Sequence, residues 1–465
     1  MARILKVKRM TEAGTTSRSA APSRVAYRED HALDPVPSPG GRLGTGTLFA
    51  AAMGIPSALV FFAVGGGLGQ AYGTVNLLTG LVVASVIIGV AGWVLVSFAC
   101  RSGLDSDLMS ISAGFGEWGS AVTSAIYSVN FVMLFALETS IIGSAVHTIY
   151  PDFPRVPLFA AVGLVVLVLA WYGIRSVAMA MKLTLPFFLA FLVLAVVEVG
   201  GRDAPGSFWS YAPPHSALDP TAWLLVLAAL LAFVVNATVA ADIGRFLRPQ
   251  SRGRGSFLFG GVLQLVAFGG ATLLGAWFSF RLHGETNPGT YLVSMFGGWG
   301  IVCVLLAQIR INVINAYSGS LSLSNFGARG LGVRPGRHLW MLGLVGASTV
   351  IAMTSFSQHL LGILTFEAVF VMSWVSTLVT YIVHYDLNRS ERSAREAFAN
   401  APVINAVGMG SLALALAVAT PLAFGAGGEL GRGLAPLAAM FVAPIGVLTL
   451  SRLTIVERKA VARSN

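Results

Sequence analysis

The stretch AAMGIPSALVFF, residues 51–62, sets Gly54 and Pro56 in the middle of an apolar run long enough to cross a bilayer. A proline inside a helix removes a backbone donor and crowds the preceding turn, so the helix kinks or unwinds there. At membrane depth such a break is tolerated only where the freed backbone groups meet protein or a polar cavity. A second interrupted run follows in LLAFVVNATVAADIGRFLR, residues 230–248, where Asn236 and Thr238 break the apolar pattern and Asp242 and Arg245 close it. Paired interrupted spans at corresponding places in two halves of a chain point to an inverted-repeat transporter with its site near the midplane. A kink without function is the competing reading of Pro56.

The chain around these runs belongs in a membrane. Of 465 residues, 55% are hydrophobic and 11% charged, whereas soluble domains carry about 25% charge. A window of about 20 residues places twelve spans near 48–72, 74–100, 120–148, 156–173, 183–200, 221–244, 256–280, 292–323, 339–355, 358–383, 403–424 and 435–451. The expected fold is an all-α integral membrane protein with twelve transmembrane helices. The broken spans are the first and the sixth, five helices apart and therefore opposite in topology.

Residues 1–47 are basic, rich in Ser, Pro and Gly, and read as a flexible cytosolic tail; no short apolar segment follows MARILKVKR, so a cleavable signal is not expected. Of the 30 Lys and Arg, only Arg155, Arg202, Arg281 and Arg432 fall on one side of the spans, Arg310 lies within a span, and the rest share the other side. That bias puts both termini, including the tail 452–465, in the cytosol of a cell with this multi-pass protein in its cytoplasmic membrane. The net charge of +10 follows this membrane rule, so nucleic acid is not an expected partner. Cys100 and Cys303 lie in or beside apolar spans and suggest neither a disulfide nor a zinc site. The chain has no HExxH, P-loop or GxSxG signature, and its seven histidines are scattered. Neither an enzyme nor a cofactor nor a metal is expected.

The most polar span contains QIRINVINAYSGSLSLSNF, residues 308–326. Gln308, Asn312, Asn315 and Gly319 share one helical face, with Arg310 and Tyr317 nearly opposite. Both faces need protein or water, because a guanidinium stays charged and a charge at membrane depth is costly. The amides suit the edge of a neutral heterocycle and equally suit helix–helix hydrogen bonds. Span three carries Tyr127, Ser128, Asn130, Phe131 and Glu138, and span ten carries Glu367. An intramembrane carboxylate is a functional candidate; here one of Glu138 and Glu367, with Glu138 favoured, is expected to pair with Arg310, directly or through water, leaving the other for a coupling proton. Phe233 stands before the sixth-span break, where an aromatic face can stack on a planar ligand or simply pack.

NAYSGSLSLSNF (315–326), AADIGRFLR (240–248) and GGGLG (65–69) resemble segments of the nucleobase:cation symporter family, the purine and cytosine permeases, and span positions agree from about residue 45 to 450. The resemblance implies a five-plus-five inverted repeat of the leucine-transporter type, with repeat one near 48–200, repeat two near 221–383, and two extra helices near 403–451 in a domain spanning 48–451. It implies a neutral ring held between spans one, three, six and eight. Carried over by position, Ser57 and Ala58 line the site from span one, Phe233 stacks from span six, and Ser128 and Phe131 stand on span three where relatives have a glutamine and a tryptophan, a one-residue shift offering Tyr127 and Asn130 instead; Gly54, Asn236, Asn312 and Asn315 are the further candidates for substrate contact. Relatives carry two sodium-binding threonines where this chain has Arg310 and Ile311. A fixed guanidinium in the cation's place, with one hydroxyl ligand removed by Ile311, leaves no sodium site of the family type.

The first reading is thus a permease for a nucleobase, hydantoin, allantoin or related ring, working by alternating access without sodium, with a small molecule, the bilayer and protons as its partners. A transporter of an anionic metabolite gripped by Arg310 and a non-transporting receptor are the alternatives.

Overall fold

The structure, a computed structural model, describes residues 31–37, 41–203, 206–213, 221–354 and 358–464. Most of the expected basic tail, residues 1–30, lies outside them. The described residues fold into helices joined by short turns, and nine helical runs are long and apolar enough to cross a membrane. The first of these, Thr45–Ser102, is two spans folded back at Gly73, whose φ of 81° takes it out of the helix. Arg155–Trp171 and Arg337–Ala352 are shorter apolar helices at the expected fourth and ninth positions. The chain is a multi-pass membrane protein with the twelve expected spans.

Several boundaries move. Span five begins at Ile174, well before residue 183, because the helix carries Arg175 and Lys182 within its first turns. The expected span 292–323 is two helices, Pro288–Phe296 and Gly298–Gly330, separated by Gly297 at φ 56°. Span three has a prelude, Ser106–Ser110 and a distorted turn Ile111–Phe115, ahead of Gly116–Ile149. The last helix runs Gly428–Ser464.

The break in span one is present, whereas span six stays helical through its polar stretch and only tightens for one turn. Span one comprises Thr45–Ala52, a tight turn at Ile55–Ser57, and a second half starting at Leu59. Span six comprises Ala222–Leu230, a tight turn at Leu231–Val234, and Val235–Gly244. Span six is the buried centre, with 89% of its apolar window inside the protein, whereas span five shows 17% and lies at the rim.

Small residues let the central helices approach closely, which is how packing replaces the hydrophobic effect in lipid. A Cβ on Gly65 would stand 1.9 Å from the Thr272 carbonyl, and one on Gly275 2.2 Å from that of Phe62. The glycines of GGGLG thus seat span one on span seven. Spans three and eight pack along most of their length.

Candidate functional site

Span one unwinds because Pro56 gives no N–H and Gly54 sits where a Cβ would be 2.5 Å from Ile314 and 2.7 Å from Met181. Ser57 stitches the turn by donating to the Gly54 carbonyl at 2.5 Å, and Leu59 N–H donates to Gln308 Oε1 at 3.3 Å. Against this turn and the one in span six lies a cavity with about 360 Å³ of empty space. Only about 20 Å³ of it admits the centre of a water-sized sphere, so a ring enters with movement of the walls.

Of the residues expected at the site, Ala58, Phe131, Phe233, Asn236, Asn315, Ile311 and Glu138 line this cavity. Phe61, which the sequence reading passed over, also lines it, 4.9 Å from Phe233 between ring centres. Asn236 Nδ2 is buried there without a hydrogen-bond partner. Gly54 and Ser57 shape the turn but are not in the lining. Neither are Ser128, which donates to the Ser124 carbonyl at 2.6 Å, and Asn312, which donates to Thr139 Oγ1 at 3.2 Å and accepts from Asn315.

Arg310 is 2% exposed and points away from the cavity's lining. It donates through Nη2 to the Met53 carbonyl at 2.8 Å, where span one stops being helical, and through Nε to Ser57 Oγ at 3.3 Å. Nη1 donates to the Met181 carbonyl at 2.8 Å and to Thr184 Oγ1, both on span five. The Phe188 ring lies 5.7 Å from the guanidinium carbon. The expected ion pair with a glutamate is not formed. Glu138 Oε2 accepts from Gln308 Nε2 at 2.5 Å, and Glu367, outside the cavity lining, accepts from Asn130 Nδ2. The Met53 carbonyl at the break in span one, the Met181 carbonyl on the span-five helix and two hydroxyls satisfy the guanidinium instead.

The sequence reading missed a second polar knot at the end of the bundle where spans two and six finish. Asp105 caps the prelude of span three by accepting from Leu108 N–H at 2.8 Å, and it pairs with Arg245 at 2.7 Å. Asp242 accepts from Tyr127 Oη and from Ser106 N–H, each at 2.9 Å. Asp107 accepts from Ser124 at 2.5 Å and Ser322 at 2.9 Å. Arg42 donates to the carbonyls of Cys100, Arg245 and Leu247. The Asp–x–Asp of LDSDLMS, an N-cap pattern between two spans, was the available signal. At the opposite end, two hollows with about 1100 and 1060 Å³ of empty space share Ser140, Asn287 and Gln358, and Val60 lines both one of them and the cavity. The cavity is therefore bolted on one side and bordered by open space on the other.

No protein-family model and no curated protein matches the chain. Solved structures do. Mhp1, a nucleobase-cation-symport-1 family transporter, in a closed conformation with bromovinylhydantoin bound, aligns over 90% of this chain and 95% of its own, with TM-score 0.68 and 16% identity. Its inward-facing conformation aligns with TM-score 0.66 over the same shares, at the same identity. A sodium-coupled sialic acid symporter, substrate-bound and outward-open, aligns with TM-score 0.59 and 12% identity over 92% of this chain and 93% of its own. The fold is thus that of the five-plus-five inverted-repeat secondary transporters, with two helices added. Its cavity lies between the break in span one and the tightened turn of span six, where that architecture puts its ligand.

Proposed function

We propose that this protein is a cytoplasmic-membrane transporter of a small planar heterocycle, such as a nucleobase or a related pyrimidine, purine, hydantoin or allantoin. It belongs, on this reading, to the nucleobase:cation symporter family, has both termini in the cytosol, and works by alternating access between repeats at 48–200 and 221–383. The observation that carries the proposal is the cavity between the break in span one and the tightened turn of span six, walled by Phe61, Phe131 and Phe233 and holding the unpartnered N–H of Asn236. Flat aromatic walls with a few placed polar groups suit a flat polar ring. Mhp1, which shares the fold, has been solved with a hydantoin bound.

Transport on this reading does not use sodium. Unwound carbonyls and nearby hydroxyls are what this architecture offers a coupling cation, and here Met53, Met181, Ser57 and Thr184 give those oxygens to Arg310. Ile311 adds no oxygen. Glu367, held by Asn130 between spans three and ten, is the carboxylate left for a coupling proton. The anionic-substrate alternative is less supported, because Arg310 would have to abandon these oxygens to reach the cavity.

A thermal-shift screen of the purified protein against heterocycles tests the proposal, since a specific ligand at 100 times its Kd stabilises by about 2.7 kcal/mol. A planar ring should raise the unfolding temperature, and Phe233→Ala should weaken its binding by about 0.5–1.5 kcal/mol beyond the lost contact area. Uptake of that ring into vesicles separates a transporter from a receptor. A screen in which no ring binds contradicts the proposal.

A further inference from the structure

Glu138 has no role in the reading so far. It is buried on span three, about two turns beyond Phe131, and lines the cavity. Its neighbours define what it does. Gln308 Oε1 takes the Leu59 N–H, which fixes the orientation of that amide. Gln308 Nε2 then donates both to Glu138 Oε2 at 2.5 Å and to the Glu138 carbonyl at 3.1 Å. The carboxylate is an acceptor, and none of the ion pairs among the described residues includes it. The nearest candidate, Arg310, two residues along span eight from Gln308, is committed to span one and span five. A buried carboxyl without a counter-charge is neutralised either by a proton or by a cationic ligand.

The cavity surrounds this carboxylate with the means to hold a cation. The rings of Phe61, Phe131 and Phe233 border the same space, and an aromatic ring attracts a cation that meets its face. Asn236 Nδ2, unpartnered in the same lining, asks for an acceptor atom on the ligand. Acceptor carboxylate, aromatic walls and a single free donor together describe a complementary molecule.

Resting on the heterocycle reading above, we propose that the substrate is a protonated amino-heterocycle. Its amidinium-type edge, an amino group beside a protonated ring nitrogen, gives two parallel N–H bonds to Glu138, the match that guanidinium makes with carboxylate. A carbonyl or second ring nitrogen accepts from Asn236. The ligand supplies the charge that Glu138 lacks, and a neutral ring leaves that charge unanswered.

The test compares three probes on the purified full-length protein by calorimetry or competition: benzamidine, cationic at neutral pH; benzamide, its neutral isostere; and uracil, a neutral heterocycle. The wild-type protein should prefer benzamidine to benzamide by at least about tenfold, and Glu138→Gln should erase that preference. Equal or stronger binding of benzamide or uracil overturns the cationic assignment and leaves the heterocycle reading standing. A preference that survives Glu138→Gln overturns the role of Glu138. Failure of all three probes and of a wider heterocycle panel overturns both readings. The charged-to-neutral ratio of the wild-type protein decides the matter even if the variant does not fold.

Discussion

Arg245 and Arg310 are both fully buried, yet their partners differ in kind. Arg245 ends span six against Asp105, an ion pair at 2.7 Å whose charges cancel within the protein. Arg310 stands mid-span against two carbonyls and two hydroxyls, with no carboxylate in contact. Neutral oxygens surround a cation without cancelling it, which is how a protein holds a metal ion it must later release. The guanidinium is an ion that cannot leave. A ligand moves a conformational equilibrium only through its different affinity for the two states, and a residue present in every state delivers no such energy by arriving or departing.

The largest effect should come from breaking the Arg310 cradle. With the Met53 carbonyl left bare at about 1–3 kcal/mol, and the hydrogen bonds to Ser57, Met181 and Thr184 lost at about 0.5–1.5 kcal/mol each, Arg310→Met should lower stability by about 4 kcal/mol in chemical or thermal unfolding in detergent. No single second substitution should restore it, because the stranded Met53 carbonyl is backbone. Arg245→Met should cost about 3 kcal/mol by stranding Asp105. Adding Asp105→Leu should return part of that loss, a coupling that a double-mutant cycle reads directly. Additive losses would mean that the two side chains are not a functional pair. Thr184→Val removes one neutral partner of Arg310 and should cost about 1 kcal/mol. Asn236→Ala, at a donor with no partner, should change the stability of the empty protein by less than about 0.5 kcal/mol while weakening ligand binding. A large loss of stability there would give Asn236 a structural role.

The architecture was legible because its signals are local. Pro56 with Gly54 marked the first break, and the span-six turn fell at Leu231–Val234, just ahead of the polar pair Asn236 and Thr238 that announced it. Span ends were less legible where charge enters a helix, as with Arg175 and Lys182, or where a glycine at positive φ divides an apolar run, as at Gly297. The partner of Arg310 was misjudged for a physical reason. Charge complementarity directs attention to Glu138 and Glu367, whereas the carbonyls of Met53, bared by the break in span one, and of Met181, on span five, carry no mark in the sequence. Met181 and Thr184 reach Arg310 only because span five crosses that end of span one. Ser128 and Asn312 share helices with true lining residues, yet they turn to Ser124 and Thr139, an outcome that pairwise packing decides and helical periodicity alone does not.

The most direct test of the central claim is uptake of a verified, radiolabelled substrate into proteoliposomes, with sodium replaced by choline at constant pH. If Arg310 permanently holds the cation's oxygens, initial rate and final accumulation should be the same in both media. A marked dependence on sodium would contradict the account, because it would require a cation site that Arg310 does not fill.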